Sequence, residues 1–226
     1  MTGTGWPSRR PRRGSPCCSP SRNGPTEARA ITEHDEPTIW ISGERAGLGP
    51  FSADLVDLYW QWEQDPGALV GYGRQTPDSL DNRREGFQHQ ARGTDDQLRF
   101  TVHDMTTAPA TPVGTTAILI DHHVRTGEFI IQLSPTSRGK GIGTEATRLT
   151  LDYAFHITNL RCVHLSVLTP NTAAIRAYEK AGFRRIGERR QSGYWFGQPA
   201  DETLMDAIPA DFRGPSAVRR AVEPSE

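Results

Sequence analysis

The sequence predicts an α/β domain built on a largely antiparallel sheet of about seven strands flanked by four helices. Three observations carry this. Three short strand-like runs follow one another between residues 97 and 135 with turn residues between them. One long stretch, "GIGTEATRLTLDYAFHIT", repeats its apolar residues at helical spacing. From there the chain reads as helix, strand, helix and a closing hairpin.

In chain order, "TIWISGERAGLGPF" is a first strand region. Ser52 then caps a helix through "ADLVDLYWQWEQD", where Leu55, Leu58, Tyr59 and Trp62 fall on one side and Pro66 ends it. Thr76 and Pro77 read as a cap and a proline at the first helical position, opening "DSLDNRREGFQHQ". "QLRFTVHD", "PVGTTAILIDHH" and "GEFIIQLSP" are the three strands. In the long helix, Ile142, Ala146, Leu149 and Tyr153 recur at the four-three-four spacing of a buried stripe. "RCVHLSVLT" is a buried strand, and "NTAAIRAYEKAG" is a short helix stopped by Gly182. "FRRIGERRQSGYWF" and "DETLMDAI" pair as a hairpin around Gly197, Gln198 and Pro199.

The ends read differently. Residues 1–30 hold six arginines and five prolines with almost no large apolar residue, too little to offset the ordering entropy of a fold. They form an expected disordered leader, without the apolar stretch of a signal peptide. Residues 209–226 are an expected flexible tail, which leaves a folded domain at 37–208. A net charge of -1 gives no global field toward nucleic acid or anionic membrane, and neither is an expected partner. Cys17, Cys18 and Cys162 have neither metal-ligand nor disulfide-framework spacing. No metal is expected, and a reducing cytoplasm is the default location.

The chemistry concentrates in "SRGKGIGTEA", residues 137–146. Three glycines stand where a strand hands over to a helix, although glycine costs about 0.5–1 kcal/mol in an element interior. The first amides of a helix have no internal partner and, with the helix dipole, form an anion site. Arg138 and Lys140 add charge. The pattern therefore points to phosphate. A nucleotide-triphosphate loop needs Gly-Lys-Ser/Thr, which is absent. A dinucleotide fingerprint needs a third glycine where Thr144 stands, and an acid at the end of the next strand, where Thr-Pro-Asn stands.

Arg138-x-x-Gly141-x-Gly143, the preceding "QLSP" and the later "NTAAIRAYEKAGF" (Asn171 to Phe183) resemble the GNAT acyltransferases. The resemblance covers the folded body, and "WQWEQDP" is similar to the branch that acetylates ribosomal-protein N-termini. It implies a sheet splayed between its fourth and fifth strands and acetyl-CoA, or another acyl-CoA, as co-substrate. Main-chain groups of Ile131, Gln132 and Leu133 would pair with the pantetheine arm. The amides of Gly139, Lys140, Gly141, Ile142, Gly143 and Thr144, with Arg138 opening the loop, would hold the diphosphate. Asn171 would hydrogen-bond the cofactor near its pantetheine, and Tyr178 would stand beside the thioester sulfur as proton donor.

Glu128 is the expected base for the incoming amine. Strand alternation places it with Ile130 and Gln132 on one face, opposite Phe129, Ile131 and Leu133. The acceptor site would lie between "GALVGYGRQTP" and the last hairpin, lined by Tyr72, Arg74, Tyr194 and Trp195, with Asp201 and Glu202 nearby as negative charge. The expected activity is transfer of acetyl from acetyl-CoA to a primary amine, either a peptide N-terminus or a small-molecule amine. A longer acyl donor, an acyl carrier protein as donor, a non-catalytic acyl-CoA-binding domain and a homodimer all remain open.

Overall fold

The structure, a computed structural model, describes residues 36–72, 76–91 and 95–223. The expected leader lies outside the described residues. The fold is a single eight-stranded sheet in the order β1-β2-β3-β4-β5-β6-β8-β7. Its strands are β1 (Ile41–Ser42), β2 (Ala46–Pro50), β3 (Gln97–Asp104), β4 (Thr111–Asp121), β5 (Thr126–Leu133), β6 (Cys162–Leu168), β7 (Arg184–Trp195) and β8 (Gln198–Ala207). Every neighbouring pair is antiparallel except β5 and β6.

The count exceeds seven because the first strand region folds back on itself at Gly43 to Arg45. The Glu145 carboxylate holds that turn by accepting from the amides of Glu44, Arg45 and Ala46 at 3.0, 2.6 and 2.7 Å. The closing hairpin turns at Phe196 and Gly197, both with positive φ, so Gln198 and Pro199 belong to β8 rather than to the turn. Two central residues at positive φ match the right-handed twist of the paired strands.

Six α-helices are present among the described residues: α1 (Val56–Glu63), α2 (Pro66–Gly71), α3 (Leu80–Ala91), α4 (Ile142–His156), α5 (Thr172–Ala181) and α6 (Ala217–Val222). Two depart from expectation. Pro66 does end α1, but it also starts α2: Asp65 accepts from the Ala68 amide as N-cap, with proline at the first helical position. The expected cap at Thr76 is displaced to Ser79, whose hydroxyl accepts from the Asn82 amide.

The third departure is the C-terminal stretch. Residues 209–223 are not a loose tail. Ser216 caps α6, Ala217 and Val218 are buried, and the buried Asp152 of α4 accepts from the Ser216 hydroxyl and from the amides of Ala217 and Val218.

The predicted stripe of α4 is the core's backbone. Ile142, Ala146 and Leu149 are buried, and the Tyr153 ring meets Phe100 edge-on at 4.9 Å. Val56, Tyr59, Trp62 and Phe87 form a separate cluster between α1 and α3. Tyr59 is fixed there by a 2.6 Å hydrogen bond to Thr101 of β3.

Candidate active site

The sheet opens beyond Glu128. The β5–β6 ladder runs only from Thr126–Cys162 to Glu128–His164, while β5 continues to Leu133 beside β4. Beyond Glu128 the main chain of β5 on that side has no strand partner. The two strands part, and a cavity of about 650 Å³ occupies the space between them.

One wall is β5 itself, through Ile131, Gln132 and Leu133. Ile131 and Leu133 are half-buried against the α4 core. Gln132 points the other way and is buried, its amide donating to the Trp62 carbonyl at 3.0 Å, so its side chain is structural. The Ile131 carbonyl accepts from the Tyr72 hydroxyl, which reaches across from the end of α2.

The floor is the loop into α4. Gly139 and Gly141 have φ of +76° and +82°, a left-handed backbone that a side chain disfavours, and Gly141 is the N-cap of α4. Gly143 is required for another reason: a Cβ there would meet Leu133 Cδ1 at 2.8 Å. Arg138, Gly139, Gly141, Gly143 and Thr144 line the cavity. Lys140 and Ile142 do not. Lys140 is exposed, and Ile142 is a fully buried core residue. Arg138 pairs with Asp65 at 2.7 Å and donates to the Leu133 carbonyl at 3.3 Å. Burial works against the Asp65 carboxylate, but the Arg138 guanidinium and the Ala68 amide outweigh it and hold the carboxyl below the usual range.

The far wall is α5. Asn171 caps it by accepting from the Ala174 amide at 3.2 Å, and its Nδ2 lies toward Gly71 of α2. Tyr178 is half-buried, edge-on to Phe129 and Phe183. Burial pushes its phenol up to about 12. Ala173, Ala177, Arg176 and Lys180 complete this wall.

Of the expected acceptor residues, Tyr72 and Trp195 line the cavity. Tyr194 is exposed on β7 outside it, and Arg74 lies outside the described residues. Trp195 also borders a shallow depression holding Asp201, whose carboxylate accepts from the Gln191 amide at 2.6 Å. Glu128 is exposed at the last paired position of β5 and β6 and is not part of the cavity lining, so the structure does not place the expected base there. Sequence reasoning missed α2, which brings Gly67, Ala68 and Gly71 to the cavity; Asp65 followed by Pro66 was its signal. It also missed Arg176 and Lys180, four apart on one helix.

The sequence profile of the acetyltransferase (GNAT) domain matches residues 45–184. Among characterised proteins, spermidine N(1)-acetyltransferase of Escherichia coli (strain K12) is 40% identical over 79 residues, 35% of this chain and 42% of that protein. N-alpha-acetyltransferase RimI of Mycobacterium tuberculosis is 39% identical over 61 residues, 27% of this chain and 36% of that one. The match spans about two fifths of the length of the E. coli spermidine acetyltransferase and of a probable N-acetyltransferase of Bacillus subtilis. The likeness is not confined to the branch suggested by "WQWEQDP". A solved spermidine N-acetyltransferase from Vibrio cholerae, in complex with CoA and spermine, superimposes with a TM-score of 0.68 at 22% identity, over 75% of this chain and 99% of that one. That likeness is one of fold.

Proposed function

The chain belongs to the GNAT acetyltransferase family, and on that premise we propose that it transfers acetyl from acetyl-CoA to a primary amine in a ternary complex. The observation that carries this reading is the convergence of three features on one cavity: a stretch of β5 main chain without a strand partner on that side, a left-handed glycine loop opening α4, and a half-buried phenol.

These residues suit such a donor. A Cβ at Gly139 would meet nothing within 4 Å, so the loop faces open space on that side, with Arg138 as its cation. The diphosphate would sit there, held by amides and the start of α4. The pantetheine arm would run along Ile131 to Leu133, exchanging the Tyr72–Ile131 hydrogen bond for its own. Acetyl-CoA supplies a thioester; as the amine's nitrogen bonds to the acyl carbon, the carbon–sulfur bond breaks, the sulfur departs as a thiolate, and the proton the amine loses passes to solvent. An N–H of β5 stabilises the carbonyl oxygen as its charge develops.

Tyr178 supports the sulfur. Complete proton transfer from a phenol near 12 to a thiolate whose acid is near 8.5 would be uphill by about 5 kcal/mol. Its part is therefore hydrogen-bond donation to the departing thiolate in the transition state.

No carboxylate or histidine lines the cavity among the described residues. An amine that is already partly neutral then has the advantage. At pH 7 a peptide α-amine with a pKa of about 8 is roughly one-tenth neutral, a lysine-type amine with a pKa of about 10.4 only about one part in 2,500. This favours a weakly basic acceptor such as a peptide N-terminus. A second reading, a polyamine acceptor, is favoured by the spermidine acetyltransferases among the relatives.

The test is thiol release from acetyl-CoA against a panel containing spermidine and peptides with free N-termini, with products identified by mass spectrometry. Amine-dependent release is expected. CoA binding with no release for any amine would instead indicate a non-catalytic acyl-CoA-binding domain, and release without amine a thioesterase.

A further inference from the structure

We infer that α2 is an autoinhibitory strap: in the free protein its two ends hold two groups of the cavity wall, and a ligand must release the whole helix to bind. The inference rests on the acyltransferase reading above for the chemistry of that ligand.

Three walls of the cavity meet α2. At its start Asp65 pairs with Arg138 of the α4 loop at 2.7 Å. Gly67 stands so close to the same guanidinium that a Cβ there would meet Nη1 at 2.9 Å. At its end the Tyr72 hydroxyl donates to the Ile131 carbonyl of β5. Gly71 lies against α5, where a Cβ would meet Asn171 Nδ2 at 3.7 Å. Arg138, Ile131 and Asn171 all line the cavity. The helix thus occupies two groups that a ligand with a phosphate and an amide arm would need, and leans on a third.

Little besides these contacts keeps α2 folded. It has six residues, two of them glycine, and Ala68 is its one buried residue. A helix this short is not stable by itself, and glycine is the poorest helix former after proline. The chain before it is anchored independently. The Gln132 amide donates to the Trp62 carbonyl at 3.0 Å, and the Gln64 side chain accepts from the Asp78 amide at 3.2 Å. The strap is therefore fixed at its base and free to unwind beyond it. Releasing one end loosens the other, because a marginal helix opens as a unit.

Two latches on one such element are coupled. A phosphate competes only for Arg138, yet its entry also waits on Tyr72. An amide arm competes only for Ile131, yet it waits on Asp65. Every ligand meets the same opening cost, which lowers its apparent affinity by the fraction of molecules already open. Weak ligands such as free nucleotides are lost from the cavity, while a ligand carrying both groups still binds.

The test uses ADP as a phosphate probe without an arm, pantetheine as an arm without phosphate, and CoA as both. By calorimetry, Tyr72→Phe should bind ADP about threefold tighter than the wild type does, although ADP has no group for Ile131. Asp65→Asn should bind pantetheine about threefold tighter, although pantetheine carries no charge for Arg138. If each variant changes only the fragment that competes at its own end, the latches are independent and the inference is overturned. On the unmodified chain, saturating CoA should speed hydrogen exchange at the amides of Ala68, Leu69 and Tyr72 about threefold or more. These amides are bonded to the Asp65 and Ala68 carbonyls at 2.9–3.0 Å in the free protein. Exchange there that is unchanged or slowed would overturn the inference and leave the acyltransferase reading in place. Failure of CoA to bind at all would remove that reading, and the inference with it.

Discussion

Arg138 and Asp65 form an ion pair at 2.7 Å that ties the phosphate loop to the cap of α2. Asp65 therefore serves two partners, the Ala68 amide and the Arg138 guanidinium. A diphosphate arriving at the loop must compete with it for Arg138. Partly exposed pairs of this kind are worth about 0–1 kcal/mol.

Asp65→Asn keeps a good helix cap and removes the competing charge. Acetyl-CoA should then bind about twofold to fivefold tighter by calorimetry, with the unfolding midpoint little changed. Weaker binding would mean that Asp65 aims Arg138 at the phosphate instead of withholding it.

Tyr178 makes a prediction about pH. Its folded pKa, about 12 because the ring is buried, lies above the ordinary value near 10. Burial thus favours the neutral phenol. The associated stability is complete below about pH 10 and is lost as pH rises through 12. Across pH 7–10 the donor keeps its proton, so kcat/KM should climb with deprotonation of the acceptor amine and then stay level. Tyr178→Phe should lower kcat about 10- to 100-fold at every pH in that range, with CoA affinity within twofold. A falling limb near pH 10 that disappears in the variant would show an ordinary phenol and overturn this account.

How far these features were legible in the sequence depends on how local their causes are. The α4 stripe, the stop at Gly182 and the cluster of Arg138, Gly139 and Gly141 at the cavity follow from periodicity and glycine chemistry within a few residues. Glu128 was a plausible base on its own strand, but only the register with His164 reveals that it sits where the strands are still paired. Lys140 and Ile142 were expected to contribute amides, and the burial of the Ile142 side chain follows from the stripe that the helix it opens must bury. Residues 209–223 looked like a tail because the partner that orders them, Asp152, is more than fifty residues away in sequence.

Glu145 shows the same kind of long-range contact supporting the loop. Its carboxylate accepts three amides from the turn at residues 44–46, and a Cβ on Gly43 would run into it. It also places negative charge in the first turn of α4. Glu145→Gln removes the charge and turns one acceptor into a donor facing N–H groups. A loss of about 1–2 kcal/mol in denaturant unfolding is expected, and Gly43→Ala should cost a similar amount by displacing the same carboxylate. An unchanged midpoint in both would show that the turn holds without Glu145.

The C-terminal helix gives the last prediction. Asp152 is 1% exposed and accepts from Ser216 Oγ at 2.7 Å and from the amides of Ala217 and Val218 at 2.6 and 3.1 Å, with His156 Nδ1 also 2.7 Å from its Oδ1. An asparagine here would present an NH₂ to these donors, so Asp152→Asn should destabilise the full chain by about 2–3 kcal/mol. It should also open the Arg219–Arg220 bond to trypsin. Truncation after Ile208 should be destabilising as well, because it strips the Ser216, Ala217 and Val218 donors from the Asp152 carboxylate. In the truncated chain, where only His156 remains beside the carboxylate, Asp152→Asn should cost clearly less than in the full chain. Equal costs of Asp152→Asn in the full and truncated chains would show that Asp152 acts within α4 alone and that α6 is held by its apolar contacts.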